Sequence, residues 1–585
     1  MNDSHREQQM KQAEDILGDR LDMVSFAKGL FFGQFHHERL LPYPDLHKNS
    51  TVTELVRRVE QFCRTSIDPV AIDRQAEIPA SVVRGLGELG VLGACLPNYC
   101  GGLGLGQVDY CRLLEVLGGW CGSTALFVNA HHSIGPRAVV LFGTQDQQQR
   151  WLPKLATGES LSAFALTEPE AGSDAANVQT TATPTEDGSG YLLNGQKRWI
   201  TNGGIAQVLT VMARTPAENE TTKITAFLVT PDMPGFEVVE KRMEKCGVRG
   251  TATSRLAFHN MFVPKENVLG QLGKGLRIAL TVLDYGRTTF GASCTGAAKF
   301  CIQRAAHHAN TRVQFDETLG SFELVKEKLA FMQAGAFAME ACTYQTAALM
   351  DSGEGDFMLE TAMLKVFTTE TLWRIINDTF QIHGGKAYFT DEPFERMLRD
   401  ARINTIGEGA NDVLRVFSAA VGMRDVGLHL ESVLEAIKYP LGNFGRLGRF
   451  IGHKIGSILA PPEVPVRSTE LEPEAVRLAK TIAKFGRQVE WLLRVHQREI
   501  VDRQYLLGRI ADAAIDLYAS ACVINRLDFL LRDSHLDDVT QRFQLATGRH
   551  FLQTAERRIR NNLRGLRDND DQATTDLANR VLKMA

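Results

Sequence analysis

No run of apolar residues in this 585-residue chain is long enough to cross a bilayer. The opening stretch, MNDSHREQQMKQAEDILGDRLDM, mixes acids with bases and lacks an apolar core, so it reads as neither a secretory signal nor an acid-poor transit peptide. Charge of one sign is lacking too. With 65 Lys and Arg against 69 Asp and Glu, the net charge of −4 offers a nucleic acid no electrostatic footprint, and no such partner is expected. The ten cysteines include no CxxC pair, which excludes a disulfide framework and points to reduced, buried thiols in a reducing compartment. Histidine doublets occur at 36/37, 131/132 and 307/308. Sequence neighbours point apart on a helix or strand, so no metal site is expected. Low-complexity segments and internal repeats are also missing. The expected location is cytoplasmic, with the protein soluble or lying at most on a membrane surface.

What is present is core: 44% of residues are apolar, enough for several domains. Residues 1–49 read as an N-terminal arm whose apolar-aromatic part, 24–44, packs on another element. Helical spacing over Val82 to Leu92 and Tyr110 to Phe127 places a helical domain at 50–157. Alternating, turn-rich strings (ITAFLVTPD, GFEVVEKRM, SRLAFHNMFVP) mark a β domain at 158–270. Long helices return over 271–425 as a bundle of four or five, with Leu324, Lys328, Phe331 and Met332 as one stripe. A Gly- and Pro-rich linker fills 426–470. Pro473 then opens a C-terminal helical domain, 471–585, with a stripe at Val476, Ala479, Ile482, Phe485, Val489 and Leu492. The fold class is mostly α with a central β domain.

The most informative stretch is Phe164 to Asn202, FALTEPEAGSD followed by LNGQKRWITNGG. Thr167 and Ser173 are hydroxyls on backbone bent by Pro169 and Gly172. Asn194-Gly195 is a hairpin signal, and Trp199 and Thr201, two apart, are expected on one side of a strand. Hydroxyls and amides beside one aromatic face suit a flat, polar-edged heterocycle, although the same features also describe an ordinary hairpin with a half-buried Trp.

The paired strings resemble the flavin-binding strand-turn-strand of the acyl-CoA dehydrogenase family. The likeness extends from about 50 to 425, and the arm (SFAKGLFFGQF…PYP) with the added C-terminal helices resembles the very-long-chain branch. The resemblance implies a helical domain, a small β-barrel-like domain and a four-helix bundle with FAD between them, in a homodimer. It implies that Phe164, Leu166 and Thr167 meet the flavin ring and that Ser173 is shared between FAD and acyl-CoA. Trp199, Ile200 and Thr201 become the ring-packing face. Arg312 in TRVQF becomes the contact to the FAD pyrophosphate of a neighbouring subunit, beside Phe315, with Asp316 in place of a frequent glycine. Gln381, Gly384 and Gly385 of QIHGG become the loop at the adenylate half, Ala387 standing where a third glycine is usual. Ala410 and Asn411 complete the cofactor set.

A dehydrogenation at the α and β carbons of a thioester needs a carboxylate aimed at the α-carbon. IGEGAND supplies Glu408 between two glycines; a glutamate in such a turn is ordinarily exposed, and the resemblance to the family's EGT motif marks it as the base. Some branches carry the base one residue before the arginine of DYGR, but here that position is Gly286. Burial against an apolar thioester is expected to raise the Glu408 pKa toward working pH. Gly407 and Gly409 flank it on the substrate side. Gly407 replaces a frequent aromatic and Ala410 a frequent threonine. Asp284 and Arg287 are placed as substrate-side groups, the arginine also steadying the carboxylate, although an i,i+3 pair is commonly a surface ion pair.

The family mechanism implies oxidation of a long- to very-long-chain acyl-CoA to a trans-2-enoyl-CoA in fatty-acid β-oxidation. Electrons then pass to electron-transfer flavoprotein. An oxidase on the same fold and a non-enzymatic FAD-holding assembly protein are the rivals. Small residues at Ala125 and Ala130 fit a deep acyl channel, and equally fit good helix formers. Residues 441–459, LGNFGRLGRFIGHKIGSIL, read as a basic amphipathic segment for peripheral contact with the inner face of a membrane, on the matrix side in a processed mitochondrial chain, or as a docked linker helix.

Overall fold

The computed structural model describes residues 18–584 except 22, 41, 218–221, 439–460 and 533–535; the amphipathic reading of 441–459 therefore lies outside the described residues. Helix α1 (Phe26–Phe31) lies in the arm, capped by Ser25, with Phe26, Leu30 and Phe31 fully buried. The N-terminal helical layer comprises α2 (Ser50–Ser66), α3 (Pro69–Gln75), α4 (Ala80–Glu88), α5 (Gln107–Trp120), α6 (Gly122–Val128), α7 (Gly135–Phe142) and α8 (Gln145–Thr157). Between α6 and α7 the chain winds as a π-helical turn, Asn129–Ile134.

The β domain runs β1 (Ser162–Ala165), β2 (Thr181–Pro184), β3 (Gly190–Thr201), β4 (Val208–Pro216), β5 (Thr222–Val229), β6 (Phe236–Glu240), β7 (Thr253–Pro264) and β8 (Val268–Leu269). Strand order is β6-β7-β3-β2-β4-β5-β8, with β1 parallel to β4. In β1 the side chains alternate. Ala163 and Ala165 join the sheet core, while Phe164 and Leu166, just past the strand, pack on the helical side.

Asn194-Gly195 is not a hairpin turn. Strand β3 passes straight through it, antiparallel to β7, and the register shifts between Leu193 and Gly195. Gly195 has φ 147°, and a Cβ there would sit 2.6 Å from the Thr180 hydroxyl, so the glycine serves a bulge pressed against the neighbouring chain. The hairpin loop lies earlier, over 185–189.

The bundle consists of α9 (Gly275–Thr311), a hairpin of β9 (Val313–Gln314) and β10 (Glu317–Thr318), α10 (Glu323–Asp351), α11 (Met358–His383), the short α12 (Phe394–Arg402) and α13 (Asn411–Lys438). Helices α5 and α9 cross at backbone contact: a Cβ on Gly118 would strike the Ser293 backbone, and one on Gly296 the Glu115 carbonyl. The expected stripe on α10 begins late. Met332 is buried but Leu324 is 72% exposed, because the inward face of the first turns is offset to Val325 and Leu329. Helices α14 (Glu472–His496), α15 (Gln504–Leu530), α16 (Asp538–Gly565) and α17 (Asp571–Met584) form the C-terminal layer, and α1 packs on α13, α14 and α15. In α14 Val476 is exposed, and the buried face starts instead at Ala475 and Leu478. All ten cysteines are free; nine are buried and Cys246 is exposed. No helix among the described residues is long and apolar enough to cross a membrane.

Candidate active site

Glu408 sits in a turn that no ordinary strand or helix would produce. Its φ is 56° and that of Gly409 is 95°, so two consecutive residues occupy the left-handed region. Such backbone persists only when its surroundings hold it. Lys365 on α11 donates from Nζ to the Gly409 carbonyl at 2.8 Å and to Asn411 Oδ1 at 2.8 Å. Arg287 on α9 donates from Nε to the Glu408 carbonyl at 3.3 Å. The side chain is fixed separately: Asn129 Nδ2 donates to Glu408 Oε1 at 3.0 Å, and Thr289 donates to Asn129 Oδ1.

The second carboxylate oxygen, Oε2, is buried and accepts no hydrogen bond. An unmet buried acceptor is costly, and it faces the spot where Gly286 has no side chain: a Cβ there would lie 2.5 Å from Oε2. Positions 286 and 408 thus converge on one point in space. Burial raises the Glu408 carboxyl to about 7, against the charges of Arg287 and Lys365 and the bond from Asn129. Burial likewise pulls the Lys365 ammonium down to about 8, with Glu408 opposing. The carboxyl is thereby poised to exchange a proton near neutral pH.

The π-helical turn joins this carboxylate to the β domain. Asn129 opens the turn, and two residues later the buried His131 receives the Ser162 amide on Nδ1 at 3.1 Å. At the other end of the motif, Asn202 Nδ2 donates to the Phe127 carbonyl at 3.3 Å. The two halves of the sequence motif are themselves bonded, Arg198 N donating to Thr167 O at 3.0 Å. A second register shift, between Lys197 and Ile200, breaks the alternation of β3. Trp199 has φ 59° and leaves half of its surface open, Ile200 turns into the sheet core, and Thr201 is half-buried. Trp199 and Thr201 therefore share a neighbourhood through a bulge, and Ile200 offers its backbone rather than its side chain. Phe164, Leu166 and Thr167 are half-buried on the same β1-to-turn segment, and Ser173 is exposed on the turn.

Several expected residues stand elsewhere. Asp284 is fully buried, with Oδ1 accepting from Arg287 at 3.1 Å and Thr361 at 2.9 Å, and Oδ2 accepting from Arg20 at 2.7 Å. Its oxygens are committed to partners within the protein. The Asn411 amide is tied to Lys365, Thr369 and Glu370, so its side chain also serves the loop. Ala410 accepts the first bond of α13, from Leu414 N. A Cβ at Gly407 would meet only Ile403, at ordinary contact distance, so the space of the missing aromatic is open.

Arg312, Phe315, Gln381, Gly384 and Gly385 form a second group at the far end of the bundle, where His308 and His383 stack at 4.4 Å. About 39 Å of α9 separates Gly286 from Arg312 at ~1.5 Å per residue, so this group does not reach the Glu408 end of its own chain. It is open to solvent. Phe315 is 91% exposed at the tip of the β9–β10 hairpin, and Asp316 adopts φ 64° where a glycine is usual. Ala387 is buried.

A cleft of about 580 Å³, part of it open to solvent, starts at Asn129 and runs between α5, α6, α9, α11 and α12. Its walls are largely small or apolar: Gly118, Gly122, Ala125, Ala297, Phe290 and Ile376 among them. Ala125 lines it; Ala130 stands on the π-helical turn. Asn129, Lys365 and Thr289 carried no signal in the sequence, where each reads as an unremarked residue on a helix.

Comparison with known proteins gives four successive family matches. They are the acyl-CoA dehydrogenase N-terminal domain (49–159), middle domain (163–261) and C-terminal domain (273–423), then the ACAD9/ACADV C-terminal domain (469–584). The human very long-chain specific acyl-CoA dehydrogenase, described as mitochondrial, is 39% identical over 537 residues, covering 88% of this chain and 80% of that protein. A probable acyl-CoA dehydrogenase, FadE10, of Mycobacterium bovis is 34% identical over 600 residues, covering 99% and 91%. An acyl-CoA dehydrogenase from Bacillus anthracis, solved in complex with FAD, superposes with a TM-score of 0.78 at 27% identity, covering 96% of this chain and 94% of that one.

Proposed function

From its place in the acyl-CoA dehydrogenase family, to which this chain belongs, we propose that Glu408 is the base of an FAD-dependent acyl-CoA dehydrogenation and that the cleft beside it takes a long acyl chain. The protein is an FAD-dependent oxidoreductase acting on acyl-CoA. The observation that carries the catalytic assignment is the unpartnered Oε2 of Glu408, aimed at the gap left by Gly286.

The residues present fit the cofactor. Trp199, Thr201, Phe164, Leu166, Thr167 and the backbone of Ile200 would hold the ring end, with Ser173 shared with substrate. Arg312, Phe315, Gln381, Gly384 and Gly385 would hold the dinucleotide end for a second copy, which makes a homodimer the working unit. When bound, FAD supplies the acceptor for the hydride leaving the substrate β-carbon.

The protein's own groups do the rest. The α-proton goes to Oε2, while Asn129 keeps Oε1 and so selects which oxygen is free. The Glu408 N–H donates to the thioester carbonyl and stabilises charge as it develops there. Lys365 and Arg287 fix the loop and keep the carboxyl from rising further than about 7. Electrons leave to electron-transfer flavoprotein, in the cytoplasm or, for a processed eukaryotic chain, the mitochondrial matrix.

Anaerobic titration of the purified yellow protein with acyl-CoAs of graded length tests this reading: bleaching is expected, strongest with long chains. Peroxide formed under air at the turnover rate would assign oxygen as the acceptor. A yellow protein that no acyl-CoA bleaches would leave only an FAD-holding role. The cleft predicts chain length. From Phe290 to Ala297 it follows about 10 Å of α9, room for roughly eight methylenes at ~1.2 Å of advance each. Ala125→Phe should lower kcat/KM for a long-chain substrate by ~10-fold or more and leave a short-chain one within about threefold, measured by steady-state kinetics.

A further inference from the structure

Arg20 belongs to the short turn Gly18–Leu21, upstream of the first family match at residue 49. Its side chain is nearly enclosed, and Nη2 donates at 2.7 Å both to Asp284 Oδ2 and to Asp356 Oδ1, with Nε adding a bond to Asp356 at 3.0 Å. The permanently charged guanidinium thus serves two buried carboxylates at once. The turn is fastened from behind, Lys28 Nζ donating to the carbonyls of Arg20 at 3.2 Å and Met23 at 3.0 Å. Beyond Asp284 the chain of bonds continues to Arg287 and ends on the Glu408 carbonyl.

We infer that Arg20 is a positioning residue for the reaction: it neutralises Asp284 and Asp356 from the arm, which leaves Arg287 free to hold the Glu408 loop. The inference rests on Glu408 being the base. Four buried charges balance here, Arg20 and Arg287 against Asp284 and Asp356. Removing Arg20 leaves two carboxylates for one guanidinium. Arg287 is then drawn toward them, and its 3.3 Å bond to the loop is the longest in the chain and the first to go. The groups facing Glu408 are Arg287 from α9, Lys365 from α11 and Asn129 from the π-helical turn. Those facing Asp284 are Arg20, Arg287 and Thr361. Nearby, Glu360 Oε1 accepts from Ser25 Oγ and Ala27 N while its Oε2 is unpartnered, and Lys28 lies 3.9 Å from Asp425. None of these can replace the lost charge on Asp284. With an added negative charge close by, Glu408 ionises at higher pH.

The test is the pH dependence of the single-turnover bleaching rate with a saturating acyl-CoA, alongside the thermal midpoint. Arg20→Gln should move the acidic limb upward and lower the rate at pH 7 by ~10-fold, with KM within about threefold of wild type. Arg20→Lys keeps the charge but not the fork and should recover part of the shift. Arg20→Gln combined with Asp356→Asn restores the charge balance without the guanidinium and should return the limb toward wild type. An Arg20→Gln protein with the wild-type limb and rate overturns the inference, whether or not its thermal midpoint falls. If Arg20→Gln does not fold, Arg20→Lys decides: a wild-type limb and rate in that variant overturn the inference. A wild type that fails to bleach defeats the reading of Glu408 itself and is distinct from either result.

Discussion

Glu408→Gln is expected to cut the bleaching rate by ~10³-fold or more while leaving FAD content and acyl-CoA affinity within a few fold. Glutamine keeps the shape and can still accept from Asn129, but it offers the α-carbon no base. Gly286 shows why no neighbour rescues the loss: the position that serves other branches has no side chain, and in space it abuts the same carboxyl. The substitution should also stabilise the protein, by an amount that grows with pH. The folded-state value of about 7 lies above the ordinary 4.5 of an unfolded glutamate. The wild-type fold therefore holds its proton more tightly than the unfolded chain does. Its stability from this group is fully present below pH 4.5 and is lost as pH rises to about 7. Glutamine has no such loss. Thermal or urea unfolding should show the two proteins alike near pH 4.5 and the variant more stable by ~1–3 kcal/mol at pH 8. Equal stability at pH 8 together with an unchanged bleaching rate would remove Glu408 from the reaction.

The glutamate proposed as the base was legible because, between two glycines in IGEGAND, it matches a family string, and the glycine at 286 is written in the sequence. What holds the base was not. Asn129 and Lys365 come from distant helices, and a lone Asn or Lys within a helical pattern carries the signature of solvent or of nothing. The π-helical turn that aims Asn129 has no composition cue of its own. Local signals misled in the β domain: Asn-Gly is the strongest short-range hairpin signal, yet at 194–195 the long pairing of β3 with β7 and the press of Thr180 convert the pair into a bulge. The bulge nearer the site breaks the alternation between Lys197 and Ile200, both of which turn inward, while Trp199 and Thr201 stay on the outer side of Ile200. Asp284 was read with Arg287 as a substrate-side group, and its bonds to Arg20 and Thr361 were not legible because those partners stand far off in sequence.

The largest structural effect is expected where the β domain supports the turn proposed to face the cofactor. Lys197, fully buried on β3, donates to Glu168 Oε1 at 2.6 Å and to the Leu166 carbonyl at 3.1 Å. Glu168 also accepts from Gln179 N at 2.5 Å, Thr180 N at 3.1 Å and the Thr180 hydroxyl at 2.6 Å. Burial works to raise the Glu168 carboxyl, but the lysine charge and these bonds override it and hold it below its usual range. One ion pair thus sets the course of the turn that presents Leu166 and Thr167. Lys197→Met strands a buried carboxylate and should cost about 3–5 kcal/mol, read as a lower urea midpoint and loss of bound FAD on gel filtration. Adding Glu168→Gln removes the unpaired charge and should recover most of that stability. It leaves the Leu166 carbonyl without its donor, so FAD retention should stay impaired. That separation distinguishes a pair that orients the flavin-facing turn from one that only stabilises the sheet: if the double variant regains stability and FAD together, the lysine's bond to Leu166 has no part in holding the cofactor.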